Sequence, residues 1–341
     1  MFSSALVYGE IHDDFDEVFS GPSHVLSEPF SPQRETFLRN VIPVPCHSHN
    51  DYWRRTPLYA ALGSGCISVE ADVWLFNDDL FVGHDIGSLT SDATLDSMYL
   101  KPLERVLRIM NGDSRIGNVS TDGRQGVFSV APEQTLVLLI DLKTSGHETY
   151  AKLDTQLQGL RDAQWLTHWN GAHRVERPIT IVATGNAPFK RIAANDSYRD
   201  IFFDAPMTSL ASDGDPGALT PTPVFHTIHR NSIHPSPDLL RYKYNPSNSW
   251  YASTSFKPGG GILSPFAITS SQRKDLADHV RMAEARGLVP RYWGTPRWPR
   301  TLRDQIWEVL LQEGVGILNV DDLRAARKGS WGQWRKRGGE S

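Results

Sequence analysis

Ile67-Ser-Val-Glu-Ala-Asp-Val-Trp74 reads as a strand with two incompatible faces: Val69, Ala71 and Val73 alternate with Glu70 and Asp72. A barrel strand is covered on both sides, so two carboxylates in its middle are costly unless a metal ion or a Lys/Arg partner meets them. Further short apolar or β-branched runs occur at Val41–Cys46, Thr135–Leu142, Pro178–Ala183, Asp200–Phe203, Trp250–Phe256, Leu288–Trp293 and Gly316–Val320. Helical stretches separate several of them: Pro57–Ala61, Thr94–Met110, His147–Ala163, Ser270–Arg286 and Thr301–Gln312. Within Thr301–Gln312, Leu302, Ile306, Val309 and Leu310 form one stripe, and Gly314 stands where a helix C-terminus takes glycine. Leu276, Val280 and Ala283 repeat the spacing before Gly287.

Strand, helix, strand repeated along a chain means parallel pairing with crossover helices. With about eight strand candidates, the expected fold is α/β, a single TIM-type (β/α)8 barrel. An open doubly wound sheet is the rival. The stretch Pro206–Ser249 carries seven prolines and little periodicity, and is expected to be a long Pro-rich loop insertion over one barrel end. The expected limits are an irregular arm over residues 1–35, a barrel domain over 36–327 and a basic tail over 328–341.

Composition narrows the function. At 341 residues the chain exceeds one ordinary domain but suits an α/β barrel of about 250 residues with additions. Apolar residues make up 39% and charged residues 22%, which excludes a disordered chain. With 35 basic against 39 acidic residues, the net charge of −4 lacks the basic footprint of a dedicated nucleic-acid binder. No apolar run approaches the roughly 18 residues of a membrane span. No signal peptide is visible, which leaves the compartment open. Cys46 and Cys66 are the only cysteines, too few for a disulfide scaffold or a cysteine zinc site. They flank the first two strands and are expected as free buried thiols, although close enough to approach each other.

The chemistry-bearing residues collect at the ends of the first three strands. Val44-Pro-Cys-His-Ser-His-Asn-Asp-Tyr-Trp53 runs from a strand into His47 and His49, which a strand would point to one side. Glu70 and Asp72 suit a hard divalent cation taking oxygen ligands, Mg²⁺ or Ca²⁺. His84 follows in Leu80-Phe-Val-Gly-His-Asp85. The buried run Leu136-Val-Leu-Leu-Ile-Asp-Leu-Lys-Thr144 ends in Asp141, which would complete an acidic triad, and Lys143, which would answer an anionic substrate. Strands about 4.8 Å apart let all of these converge. A cation and a lysine facing two histidines describe phosphoryl chemistry with paired acid and base.

These residues resemble the phospholipase-C-like phosphodiesterase superfamily. His49-Asn-Asp-Tyr52 and Gly65-Cys-Ile-Ser-Val-Glu-Ala-Asp-Val-Trp74, followed by His84, are similar to segments of eukaryotic phosphoinositide phospholipase C. Glu-x-Asp followed by His-Asp is also the pattern of glycerophosphodiester phosphodiesterases, and Asp141-Leu-Lys-Thr144 is similar to a segment of sphingomyelinase D. The broadest resemblance, over residues 40–326, is to the fungal altered inheritance of mitochondria protein 6 family. It is carried by residues 47–53, 69–74, 82–85, Trp293-Gly-Thr-Pro296 and Leu318-Asn-Val-Asp-Asp-Leu323. The resemblance implies a TIM-type barrel with two catalytic histidines and one divalent cation, Mg²⁺ first and Ca²⁺ second. Glu70, Asp72 and Asp141 would hold the metal, with Asn50 as a fourth ligand. His84 would be the second catalytic histidine; the first is His49 or His47, according to whether His-Asn or His-x-x-Asn is matched. The expected substrate is a phospholipid or glycerophosphodiester, although the glycerophosphodiesterase His-Arg-Gly start is absent.

Two other readings stand beside this one. The barrel would serve as a binding module without turnover, or His47-x-His49 with His226 and His229 would mark a metal-dependent amidohydrolase. Trp293 at a strand end would wall the substrate pocket or fill the barrel mouth. Asn319 and Asp321 would close the site or cap the turn that follows.

Overall fold

The structure is a computed structural model describing residues 38, 40–111, 124–213, 235, 237–256 and 268–329. The expected arm, most of the tail and the centre of the Pro-rich insertion, with His226 and His229, lie outside the described residues. Eight strands build the barrel: β1 (Val44–Ser48), β2 (Cys66–Phe76), β3 (Leu136–Leu142), β4 (Ile179–Gly185), β5 (Ile201–Pro206), β6 (Ser249–Ser255), β7 (Val289–Trp293) and β8 (Ile317–Val320). Each pairs in parallel with the next, and β8 pairs with β1, closing the ring and excluding the open sheet. Asp79–Val82 folds back antiparallel onto the long β2, a hairpin extending past the rim.

Five helices follow expected positions with shifted ends: α1 (Tyr59–Gly63), α2 (Lys101–Asn111), α3 (Gly146–Gln156), α4 (Ser270–Glu284) and α5 (Arg300–Gln312). The predicted helix over 94–110 is part π-helix, Asp96–Leu100, and that over 147–163 breaks at Leu157. Thr269 and Gln272 close a capping box at the start of α4, satisfying backbone N–H groups that would otherwise lack partners. Gly287 and Gly314 take φ of +67° and +90° after α4 and α5, the left-handed turn that glycine enters without steric cost. Leu276, Val280 and Ala283 on α4 and Ile306 and Leu310 on α5 are buried, while Leu302 and Val309 are only partly covered. Burying such a side chain contributes about 1.5–3 kcal/mol, so these stripes hold the helices on the sheet.

The expectation of two free thiols is wrong: Cys46 and Cys66 form a disulfide, with Cα atoms 4.7 Å apart. The first crossover sets β1 and β2 side by side in the sheet. Their pairing runs from Val44↔Cys66 to His47↔Ser68, so β1 carries one extra residue, a bulge, and the bridge spans it. Both sulfurs belong to fully buried residues.

Constraining a loop of this length contributes about 3 kcal/mol. The variant Cys46→Ala/Cys66→Ala should therefore unfold in urea with a loss of about that size. Denatured, unreduced wild type should accept no thiol label; labelling without reductant would mean that the bridge does not form.

Candidate active site

Alternation along β2 sends Ser68, Glu70 and Asp72 into the barrel, while Val69, Ala71 and Val73 pack outward. The β2–β3 register sets Asp72 directly beside Asp141. Carboxylate oxygens of Glu70, Asp72 and Asp141 consequently lie within 4.8 Å of one another, as the sequence predicted. Gly185, at φ +66° on the end of β4, lies so close to Asp141 that a Cβ there would collide with its carboxylate. The ammonium of Lys143 donates to Asp141 Oδ2 at 2.6 Å and sits 3.0 Å from Asp72 Oδ2. Burial works against the lysine's charge, but the two carboxylates outweigh it and raise its pKa.

Asp72 is pushed up to about 6, by burial first and then by the negative charge of Glu70. Its Oδ1 is buried with no hydrogen-bond partner among the described residues. Such an atom suits a ligand, and three oxygen donors of this kind fit a hard divalent cation. Asn50, in a left-handed turn after β1, is buried beside them, its backbone N–H donating to Glu70 Oε2 at 3.1 Å.

The two candidate first histidines differ sharply. His47 is fully buried, with Nδ1 2.7 Å from Ser68 Oγ. Its Nε2 is 3.1 Å from Arg291 Nη2 and 3.4 Å from Glu70 Oε2, contacts that demand opposite protonation of that nitrogen. The guanidinium is always charged and is the closer partner, so Nε2 accepts from Arg291 and Nδ1–H donates to Ser68. Burial, followed by the Arg291 charge, lowers His47 to about 4, in keeping with a neutral ring. His49 is part-exposed: Nδ1 is 2.8 Å from Asp321 Oδ1, and Nε2 lies 3.8 Å from Glu70 Oε2. Asp321 also accepts from Arg297 at 2.7 and 3.1 Å. Although burial opposes it, His49 and then Arg297 hold that carboxyl below its ordinary range.

His84 stands on the other side of the cluster, half-exposed, with Nδ1 3.6 Å from Asp72 Oδ2 and 3.2 Å from Tyr52 Oη. Tyr52 Oη is 2.8 Å from Asp72 Oδ2 and 3.0 Å from Asn50 Oδ1. One phenolic proton cannot serve both, and the charged, nearer Asp72 takes it. Burial and then Asp72 raise the phenol far above its ordinary range, so Tyr52 stays neutral. Trp293 is exposed at the end of β7.

Sequence reading gave no role to Tyr52, Ser68 or Arg291. Tyr52 stood within the quoted His-Asn-Asp-Tyr run, but nothing local showed that its hydroxyl would reach Asp72. Arg291 enters from β7, across the barrel. It donates to Asn319 Oδ1 at 2.7 Å and lies 3.7 Å from Glu70 and 3.8 Å from Asp204. Against the penalty of burial, the Arg291 charge keeps Glu70 ionised. Asn319 and Asp321 thus both face the site, whereas the cap of the following helix falls to Asp322.

Residues 35–204 match the family described as the AIM6-like phosphodiesterase domain. The altered inheritance of mitochondria protein 6 homolog of Arthroderma benhamiae is 36% identical over 296 residues, covering 85% of this chain and 84% of the relative. The altered inheritance of mitochondria protein 6 of Eremothecium gossypii is 36% identical over 294 residues, covering 83% and 68%. Among solved structures, a glycerophosphodiester phosphodiesterase from Parabacteroides distasonis superposes with a TM-score of 0.40 at 11% identity, covering 86% of this chain and 97% of that one.

Removing the buried guanidinium would strand Glu70 and Asp204 without their countercharge. Arg291→Met should lose about 3–5 kcal/mol of folding free energy. Urea denaturation reads this directly, and an unchanged midpoint would show that Arg291 does not offset these carboxylates.

Proposed function

The chain belongs to the altered inheritance of mitochondria protein 6 family, and from that premise we propose that it hydrolyses a phosphodiester, a phospholipid or glycerophosphodiester, with one divalent cation and a pair of histidines. One observation carries the reading. Two part-exposed imidazoles reach the same carboxylate cluster from different strand ends, His49 at Glu70 (3.8 Å) and His84 at Asp72 (3.6 Å).

Glu70, Asp72 and Asp141 would hold the cation, Mg²⁺ in the first instance and Ca²⁺ as the alternative, with Asn50 beside them. Bound there, a divalent cation supplies electrophilic activation of a phosphate oxygen. His49 is the better general base of the two candidates at the end of β1. Asp321 holds its Nδ1–H, which leaves Nε2 free to take a proton from water or from an internal hydroxyl of the substrate. His47, buried and already engaged at both nitrogens, instead ties Ser68 to Arg291. His84 delivers a proton to the leaving oxygen from the open side of the cluster. Lys143, a quarter exposed, shares the charge of the substrate phosphate. Trp293 contributes a wall at the mouth. Tyr52 ties Asp72 to the His84 side and keeps that carboxylate oriented.

Turnover of bis(p-nitrophenyl) phosphate should require added Mg²⁺, stop with EDTA and follow a bell-shaped pH profile. His49→Ala and His84→Ala should each lower kcat by about 10²–10⁴. Folded protein with no turnover, or turnover indifferent to EDTA, would favour a binding module instead. Calorimetric titration with MgCl₂ offers a second readout: Asp72→Asn and Asp141→Asn should abolish the binding heat that wild type shows. Heat that persists in both variants would place the cation elsewhere.

A further inference from the structure

We propose that Asn195 is an N-glycosylation site and that the chain takes its glycan in an oxidising compartment. Asn195-Asp-Ser197 is an Asn-x-Ser triplet whose middle residue is not proline. So short a pattern recurs by chance; its surface and the disulfide carry the assignment. The triplet is exposed throughout, in the connection from the helical turn Phe189–Ile192 to β5, and the Asp196 side chain is 98% open to solvent. A connection of this kind lies at the N-terminal end of the strands, opposite the end that carries Asp72, Asp141 and His49. A glycan there leaves the candidate site uncovered.

The loop also fixes which atom of the amide is presented. Asn195 Oδ1 accepts from the Ser197 N–H at 3.0 Å, the Tyr198 N–H at 3.1 Å and the Ser197 hydroxyl at 2.8 Å. Backbone N–H groups only donate, so the atom facing them is the oxygen, and Nδ2 is turned away from them. Nδ2 has no partner among the described residues. Arg199 donates to the carbonyls of Ala193 at 3.1 Å and Asn195 at 2.8 Å, which holds this backbone in place. The Cys46–Cys66 bridge is the second, independent observation. A disulfide buried between two barrel strands belongs where thiols are not kept reduced, the setting of secreted and luminal proteins and of N-linked transfer. The co-substrate is an oligosaccharide held through its first sugar carbon on a polyprenyl diphosphate. Nδ2 forms a bond to that carbon as the carbon–oxygen bond to the diphosphate breaks. The diphosphate leaves with the bonding pair, Nδ2 gives up one proton to a base of the transferase, and nothing is oxidised or reduced. Transfer precedes folding, and the open loop then accommodates the product. None of this depends on the catalytic reading.

The full chain, isolated from the cells that make it and digested with trypsin without reduction, tests the site. Cleavage after Arg191 and Arg199 isolates Ile192–Arg199, in which Asn195 is the one asparagine. Mass spectrometry should find this peptide carrying N-acetylhexosamine and hexoses. Peptide N-glycosidase should return it bare, with the asparagine converted to aspartate. Asn195→Gln and Ser197→Ala should each lose the sugar completely, and Ser197→Thr should keep it. Recovery of the peptide solely in bare form, whether Cys46 and Cys66 are bridged or reduced, would overturn the proposal. So would a sugar that survives Asn195→Gln, which would sit on Ser197. A sugar confined to Asn118, in the chain's other Asn-x-Ser triplet without proline, outside the described residues, would overturn it as well.

Discussion

Three carboxylates within 4.8 Å of one another, two of them on one strand and the third beside them, repel strongly once water is withdrawn. The barrel accepts that repulsion only because cations surround the cluster. Arg291 rises beneath Glu70 from β7, and Lys143 bridges Asp72 and Asp141 from the end of β3. The two work differently. The buried guanidinium offsets charge at the floor, while the part-exposed ammonium sits at the mouth, where an anionic substrate would arrive.

Around that centre, the connection after β1 is fixed with similar care. Asp51, fully buried, accepts from Ser48 Oγ at 2.6 Å, from the Leu58 N–H at 2.6 Å and from Tyr99 Oη at 3.1 Å. Burial raises its pKa, and Arg54 acts against the rise. Just before this turn, the bulge in β1 and the Cys46–Cys66 bridge set the height at which His47 meets Ser68. A one-residue slip there would exchange the directions of His47 and Ser48. The disulfide thus joins folding stability to the aim of the histidines, although neither sulfur touches the cluster.

Period and spacing made much of this legible in the chain. Alternation placed Glu70 and Asp72 together on one face, and the run ending in Asp141-Leu-Lys143 placed its acid and lysine on one side. Eight β-type runs separated by helical stretches predicted the closed ring. The helix over 147–163 was less readable, because the break at Leu157 has no proline and the nearby Gly159 lies within the second helical piece. The Cys46–Cys66 bridge was also missed: the chain put the two cysteines on neighbouring strands, but only the bulged β1–β2 register brings their Cα atoms to 4.7 Å.

The sequence by itself determined which residue types carry charge, where strands and helices alternate, and which acids share a strand face. Those properties follow from local periodicity and side-chain chemistry. Only the tertiary structure decided that His47 is buried against Arg291 while His49 stays open against Asp321. Those partners lie 244 and 272 residues away in the chain, and two histidines separated by a single serine differ only in what the closed barrel brings to each ring.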